Sequence, residues 1–231
     1  MKTIGLIGGL GPESTVDYYR SLINTHRAQH PEADPPSIII NSVNMQYALR
    51  CTREERLQDL ADFLLLELKK LAAAGADFAL ITANTPHLVF DEVEPRSPLP
   101  LLSIVKATAD RAAQAGFKRL GLLGTRFTMN ARFYPEVFAR DQMQIHVPDD
   151  SDQAYIHEKY FSELVKGVFL DETRDRLREV IARMKDRHGI QAAILGGTEL
   201  PLILRGGEAG GVPLLDTTQI PVEAALQRLT E

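Results

Sequence analysis

Two short stretches carry the side chains best suited to chemistry. "ANTPH", residues 83–87, and "GGTEL", residues 196–200, each follow an apolar run and lead into what reads as a helix start. In the first, Thr85 is a natural N-cap and Pro86 takes the first helical position, which tolerates proline. In the second, Thr198 caps and Glu199 falls in the first turn. Helix starts expose unpaired backbone amides, which suit a carboxylate. Capping accounts for both threonines, but not for Asn84 before one cap or Gly196 and Gly197 before the other. His87 follows the first helix start, Lys166 closes the amphipathic run "YFSELVKG", and Arg50 and Arg53 flank Cys51 at what reads as an exposed helix start. A solvated surface lysine and a small buried cysteine are the ordinary alternatives.

A third loop, "GGLGPEST", invites a nucleotide reading and fails it. The dinucleotide fingerprint requires glycines at n, n+2 and n+5, whereas Gly9 and Gly11 are followed by Ser14, and no P-loop lysine is present. The segment reads instead as a tight strand-to-helix turn, with Ser14 capping and Asp17 in the first turn. Gly9, Leu10 and Gly11 could line a ligand as well.

The whole chain narrows the function class. It has 231 residues, 44% apolar and 25% charged, with a net charge of −5. That balance is ordinary for a globular protein and argues against a nucleic-acid partner, which calls for clustered Lys and Arg. No apolar run approaches the roughly 20 residues that span a bilayer, and "TIGLIGG" starts without a basic segment or cleavage site, so a cytoplasmic protein without a membrane partner is expected. The single cysteine, Cys51, excludes an internal disulfide and any multi-thiolate metal site. The histidines show no metal-ligand spacing, so no metal site is expected.

The elements that must position these loops repeat within the chain. "TIGLIGGLGPEST" and "RLGLLGTRFTM" both read as strand, glycine turn and helix start, the latter presenting Thr125. Leu57, Leu60, Ala61, Leu64, Leu68 and Leu71 form a helical stripe that ends at Gly75 and leads through "DFALIT" to "ANTPH". Leu177, Val180, Ile181 and Met184 form another, ending at Gly189 and leading through "QAAIL" to "GGTEL". "LPLLSI" and "VPLLDT" close the two units. Gly8 and Ala83 lie 75 residues apart, Gly124 and Gly197 73. This pattern predicts an α/β protein of two pseudo-symmetric three-layer halves with mainly parallel sheets and an active-site cleft between them. The expected division is residues 1–105 plus 212–231 against 106–211, the last helix returning to the first half and "RGGEAGG", residues 205–211, forming a mobile loop.

"GLIGGLGPEST", "ANTPH", "LLGTRFTM", "ELVKG" and "LGGTEL", in this order, resemble the aspartate/glutamate racemase family nearly end to end. The resemblance implies a cofactor-independent (PLP-independent) isomerase of acidic amino acids, often dimeric, in which two cysteines face the substrate Cα from opposite sides. Ala83 and Gly197 stand at the two thiol positions, and neither can carry a proton. Asn84, Thr85 and Thr198 match substrate-carboxylate positions, Lys166 matches a lysine that pairs with the distal carboxylate, and Arg50 or Arg53 could supply its arginine partner. His87, Glu199 and Cys51 are the remaining groups able to act as a base. Ala83 and Gly197 would also enlarge the pocket. The expectation is therefore a family protein that binds a small acidic amino acid with weak or altered racemase chemistry. A related enzyme with another reaction or bulkier substrate, and a non-catalytic binder, are the alternatives.

Overall fold

A computed structural model describes residues 2–229 of the chain, which divide into two α/β units. The first runs to Ile104 and is completed by the segment from Thr218 onward; the second is Val105–Thr217.

The strands among the described residues are β1 (Thr3–Gly8), β2 (Ser37–Ser42), β3 (Phe78–Ile81), β4 (Leu101–Leu102), β5 (Arg119–Gly124), β6 (Gln144–His146), β7 (Ala192–Gly196), β8 (Glu208–Ala209) and β9 (Val212–Asp216). The helices of the first unit are α1 (Pro12–Gln29), α2 (Met45–Arg53), α3 (Leu57–Ala73) and α4 (Phe90–Val93), with α5 (Ile104–Gln114) crossing to the second. There follow α6 (Arg126–Asn130), α7 (Phe133–Ala139), α8 (Asp150–Ser162), α9 (Asp171–His188) and α10 (Leu200–Ile203), and α11 (Gln219–Arg228) rejoins the first unit.

Both sheets follow one plan. The first has strand order β2-β1-β3-β4 and the second β6-β5-β7-β9, with β8 added antiparallel at its edge; the remaining pairings are parallel. Successive strand residues point to opposite faces, and both faces are apolar because helices cover both. In the first unit Ile4, Leu6, Phe78 and Leu80 pack with Tyr18 and Leu22 of α1 and Val222 and Leu226 of α11. On the other face Ile7, Ala79 and Ile81 pack with Leu60, Leu64 and Leu68 of α3 and Phe90 and Val93 of α4. In the second unit Leu123, Ala193 and Leu195 meet Ile156 of α8 and Leu177, Val180, Ile181 and Met184 of α9.

The stripe residues of α3 are buried from Leu60 onward, whereas Leu57, at the first turn, is 40% exposed. Three expectations are corrected. Residues 212–216 belong with the second unit, because β9 pairs with β7 from Ala193↔Leu214 to Leu195↔Asp216; only the segment from Thr218 returns to the first. "RGGEAGG" holds β8, paired with β9 at Glu208↔Pro213 and Ala209↔Val212, so part of that loop is fixed by a strand ladder. Arg50 and Arg53 lie in the last turn of α2 rather than at a helix start, where cations face the negative end of the helix dipole.

The turn after β1 depends on one glycine. Gly9 has φ +77°, and a Cβ there would sit 2.6 Å from Ser42 Oγ and 2.7 Å from both the nitrogen and the oxygen of Val43. Gly75, at φ +94°, has open space around it. Gly75→Ala is therefore expected to cost about 1–2 kcal/mol from backbone conformation alone, and Gly9→Ala distinctly more because backbone must also shift. Urea unfolding of both variants checks the order, and equal costs would contradict it.

Candidate functional site

Neighbouring parallel strands end level with each other in each unit. The β1–β3 ladder closes at Ile7↔Ile81 and the β5–β7 ladder at Gly124↔Gly196. In each sheet these two strands flank the point where the chain reverses its direction of winding, and the crevice beyond such strand ends is where open α/β sheets take ligands. The register brings Gly9, Leu10 and Gly11 beside Ala83, Asn84 and Thr85 in the first unit, and Thr125 beside Gly197 and Thr198 in the second. Hydroxyls pin both tips: Thr82 donates to the Ile7 carbonyl at 2.9 Å, and Thr217 to the Leu195 carbonyl at 2.6 Å.

At the first tip Thr15 ties the glycine loop together, and Ser14 is not the N-cap. Its hydroxyl accepts from the Gly9 N–H at 2.8 Å and donates to the Gly11 carbonyl at 3.0 Å. Gly11 occupies the N-cap position of α1 and no side chain caps it; Ser14 is fully buried inside the first turn. Ala83 and Asn84 are buried, and Thr85 is half-buried. Thr85 opens a five-residue 3-10 turn, Thr85–Val89, whose N-cap position is taken by Asn84.

His87 is built into this tip rather than presented by it. Its Nδ1 lies 3.1 Å from the Ala83 carbonyl, and its Nε2 accepts the Ile104 N–H at 3.2 Å. A carbonyl can only accept and an N–H can only donate, so these partners assign the proton to Nδ1. The ring is buried, stacks on Phe90 with centroids 5.0 Å apart, and is held neutral by burial, which lowers its pKa to about 4. The Nε2 lone pair a base would use is already engaged.

The second tip is arranged differently from its sequence reading. Glu199, not Thr198, takes the N-cap position of the four-residue α10, and the Leu200 N–H is already bound by the Gly197 carbonyl at 2.9 Å. Gly197 leaves no open space: a Cβ there would lie 2.5 Å from Cε2, 2.9 Å from the hydroxyl oxygen and 3.0 Å from Cζ of Tyr160. Tyr160, near the end of α8, fills the place a side chain at 197 would take, which corrects the expected enlargement at this position. Its hydroxyl donates to Glu199 Oε2, and the Thr198 hydroxyl donates to the same oxygen at 3.4 Å. All three residues are buried. Burial first, and then the neighbouring Glu199 carboxylate, raise the Tyr160 phenol well above its ordinary 10. Thr125 caps α6, its hydroxyl accepting the Thr128 N–H at 3.3 Å.

The expected cations are accessible. Lys166 is exposed at the end of the 3-10 turn Leu164–Lys166, ahead of the left-handed Gly167. Arg50 and Arg53 are exposed on α2, Arg50 lying 5.6 Å from the Tyr47 ring centroid. Cys51 is fully buried in the α2–α3 core, away from solvent. Among the described residues no group of three or more His, Cys, Asp or Glu side chains is placed to hold a metal ion, and no helix is long and apolar enough to cross a membrane. Sequence reasoning missed Tyr160 and Thr15. Tyr160 stood within "YFSELVKG" as one more apolar residue, and only the bare glycine at 197 hinted that another side chain fills its space.

Two outcomes follow from these contacts. Gly197→Ala should destabilise the protein, and the same change in a Tyr160→Ala background should cost far less, leaving a coupling of about 1–3 kcal/mol in a urea double-mutant cycle; additive effects would contradict the packing. The folded state binds the His87 proton less readily than the unfolded chain, where histidine titrates near 6.5. Stability should therefore fall as pH drops from 6.5 toward about 4, by about 3 kcal/mol from this residue. His87→Gln should remove that part of the acid sensitivity in urea titrations at pH 7 and 4.5.

Two solved structures resemble this chain along its full length. An Asp/Glu racemase candidate crystallised from Yersinia pestis is 34% identical, with a TM-score of 0.89 and 100% of both chains covered. An aspartate racemase homologue from Pyrococcus horikoshii OT3 is 32% identical, with a TM-score of 0.86 and the same full coverage. A broad specificity amino-acid racemase of Bacillus subtilis (strain 168) is 27% identical over 160 residues, which span 65% of this chain and 66% of that protein. The model of the Asp/Glu/hydantoin racemase family matches residues 7–225, and with that match the chain belongs to this family.

Proposed function

We propose that the strand-tip loops bind a small acidic amino acid or a related dicarboxylate and support PLP-independent racemase or epimerase-type chemistry that is weak or altered in this chain. The carrying observation is the level ending of the paired strands, which sets Asn84 and Thr85 beside the Gly9–Gly11 turn and Thr198 beside Thr125. Polar side chains and glycine backbone at a strand-order reversal suit an anionic ligand. In this reading Asn84 and Thr85 of the first unit, and Thr198 of the second, are the carboxylate-binding groups. Lys166 pairs with the distal carboxylate, and Arg50 or Arg53 offers a further cation. Names of relatives point the same way, since one is an aspartate racemase homologue and another a broad specificity amino-acid racemase.

Proton transfer is where the chain departs from two-thiol chemistry. Inverting Cα requires one group to remove a proton and another to deliver one, and each such role contributes roughly 10²–10⁴-fold. Ala83 and Gly197 supply neither. The Gly197 position favours this reading over the bulkier-substrate alternative, because Tyr160 occupies the volume that glycine would otherwise free. A non-catalytic binder would keep the same ligand contacts and differ only in lacking exchange.

Incubation with L-aspartate, L-glutamate and a panel of other amino acids in D₂O, followed by NMR at the α-proton and by thermal shift, separates these readings. The expected result is a raised melting temperature with an acidic amino acid and slow α-proton exchange. Stabilisation only by non-acidic compounds would contradict the substrate class. Ala83→Cys should raise the exchange rate by about 10²-fold or more, since it restores one proton-carrying group.

A further inference from the structure

We propose that Tyr160 is the proton-carrying catalytic group at the second strand tip, with Glu199 as its proton acceptor, so that a side chain on a neighbouring helix takes over the task that residue 197 cannot perform. The inference rests on the acid-binding reading above and deepens it. Its first support is steric: the phenolic oxygen lies 2.9 Å from the point where a Cβ of residue 197 would stand, so the hydroxyl is delivered to that point by α8 instead of by the strand. Its second support is the hydrogen-bond chain. Tyr160 donates to Glu199 Oε2, Thr198 donates to the same oxygen, and a phenol, a carboxylate and a hydroxyl thus form one buried chain at the end of β7.

Burying a carboxylate and a phenol is costly unless they are paired, and core packing alone would be met by phenylalanine. Buried titratable pairs at strand ends are candidates for catalysis. The proton balance is simple. The Tyr160 oxygen accepts the proton from substrate Cα while its own proton passes to the Glu199 carboxylate. The electron pair of the broken C–H bond stays on the substrate, delocalised into its α-carboxylate. Reversal returns a proton from Glu199 through Tyr160 to Cα. The phenol is neutral before and after, which agrees with burial and the adjacent carboxylate disfavouring its ionised form. One such group serves one face of Cα, so when the Tyr160 proton is replaced from Glu199 or water before the return, the α-proton exchanges with retention of configuration.

The test uses the full chain with L-aspartate and L-glutamate in D₂O, reading α-proton exchange by NMR, configuration by chiral chromatography and binding by thermal shift. The wild type should exchange the α-proton of the bound acid with retention. Tyr160→Phe, which keeps the ring, should bind the acid at an unchanged half-saturating concentration while the exchange rate falls about 100-fold or more. Glu199→Gln, which removes the acceptor but keeps the shape, should lower the exchange rate and flatten its pH profile, and it decides the matter if Tyr160→Phe fails to fold. Binding without exchange in the wild type, or wild-type exchange in Tyr160→Phe, would overturn the inference and leave the binding reading standing. Failure of the wild type to bind either acid would overturn both.

Discussion

Two parallel strands that end at the same register must deliver their following loops to the same place, and everything proposed for this protein depends on that constraint. In the first unit it places the turn around Gly9 next to Ala83–Thr85; in the second it places Thr125 next to Gly197 and Thr198. The ladder hydrogen bonds fix the register, and Thr82 and Thr217 add side-chain bonds at the final turn of backbone. Because β1 and β5 are buried on both faces, a slip of one residue would place a different set of side chains against each layer of helices, which apolar packing opposes. The core thus fixes where the strands end. A binding site mounted on them starts pre-organised, which lowers the entropic cost of taking a small ligand.

The same strand ends show how the family fold accommodates a glycine at residue 197. Residue 197 sits at a place where volume is shared between the strand tip and α8. With glycine just past β7, the Tyr160 ring of α8 occupies the place of a side chain at 197, and its hydroxyl donates to the Glu199 carboxylate one position past Thr198. A side chain at 197 and the present position of Tyr160 exclude each other. Ala83 is buried and its carbonyl orients His87. Residues 83 and 197 are therefore unlike in physical terms: the space beside Gly197 is filled by Tyr160, and Ala83 carries its own buried methyl group.

Much of the fold was legible in the sequence. The repeated order of strand, glycine turn and helix anticipates two similar halves with parallel sheets, and the stripes Leu57–Leu71, except Leu57 itself, and Leu177–Met184 are buried as their helical spacing predicts. Gly189 ends α9 in the left-handed region, as its placement after the stripe implies. What was not legible depended on contacts distant in sequence. Thr15 anchors the glycine loop and Ser14 does not cap α1, because the helix begins at Pro12, earlier than a serine cap would set it. β9 joins the second sheet because it pairs with β7, and nothing local in "VPLLD" distinguishes that partner from the other sheet. Tyr160 stands 37 residues before Gly197, and apolar periodicity cannot separate a core tyrosine from one that fills another residue's place. His87 reads as a free base beside a helix start until the Ile104 amide that occupies its lone pair is seen.

The most direct measurement is an NMR titration of uniformly ¹⁵N-labelled protein with L-aspartate. Amide shifts concentrated at residues 9–11, 83–85, 125 and 197–199 are predicted, since these are the groups the paired strand ends present. Saturating shifts confined to other surfaces, with these four loops unmoved, would contradict the claim that the strand tips are where this chain meets its ligand.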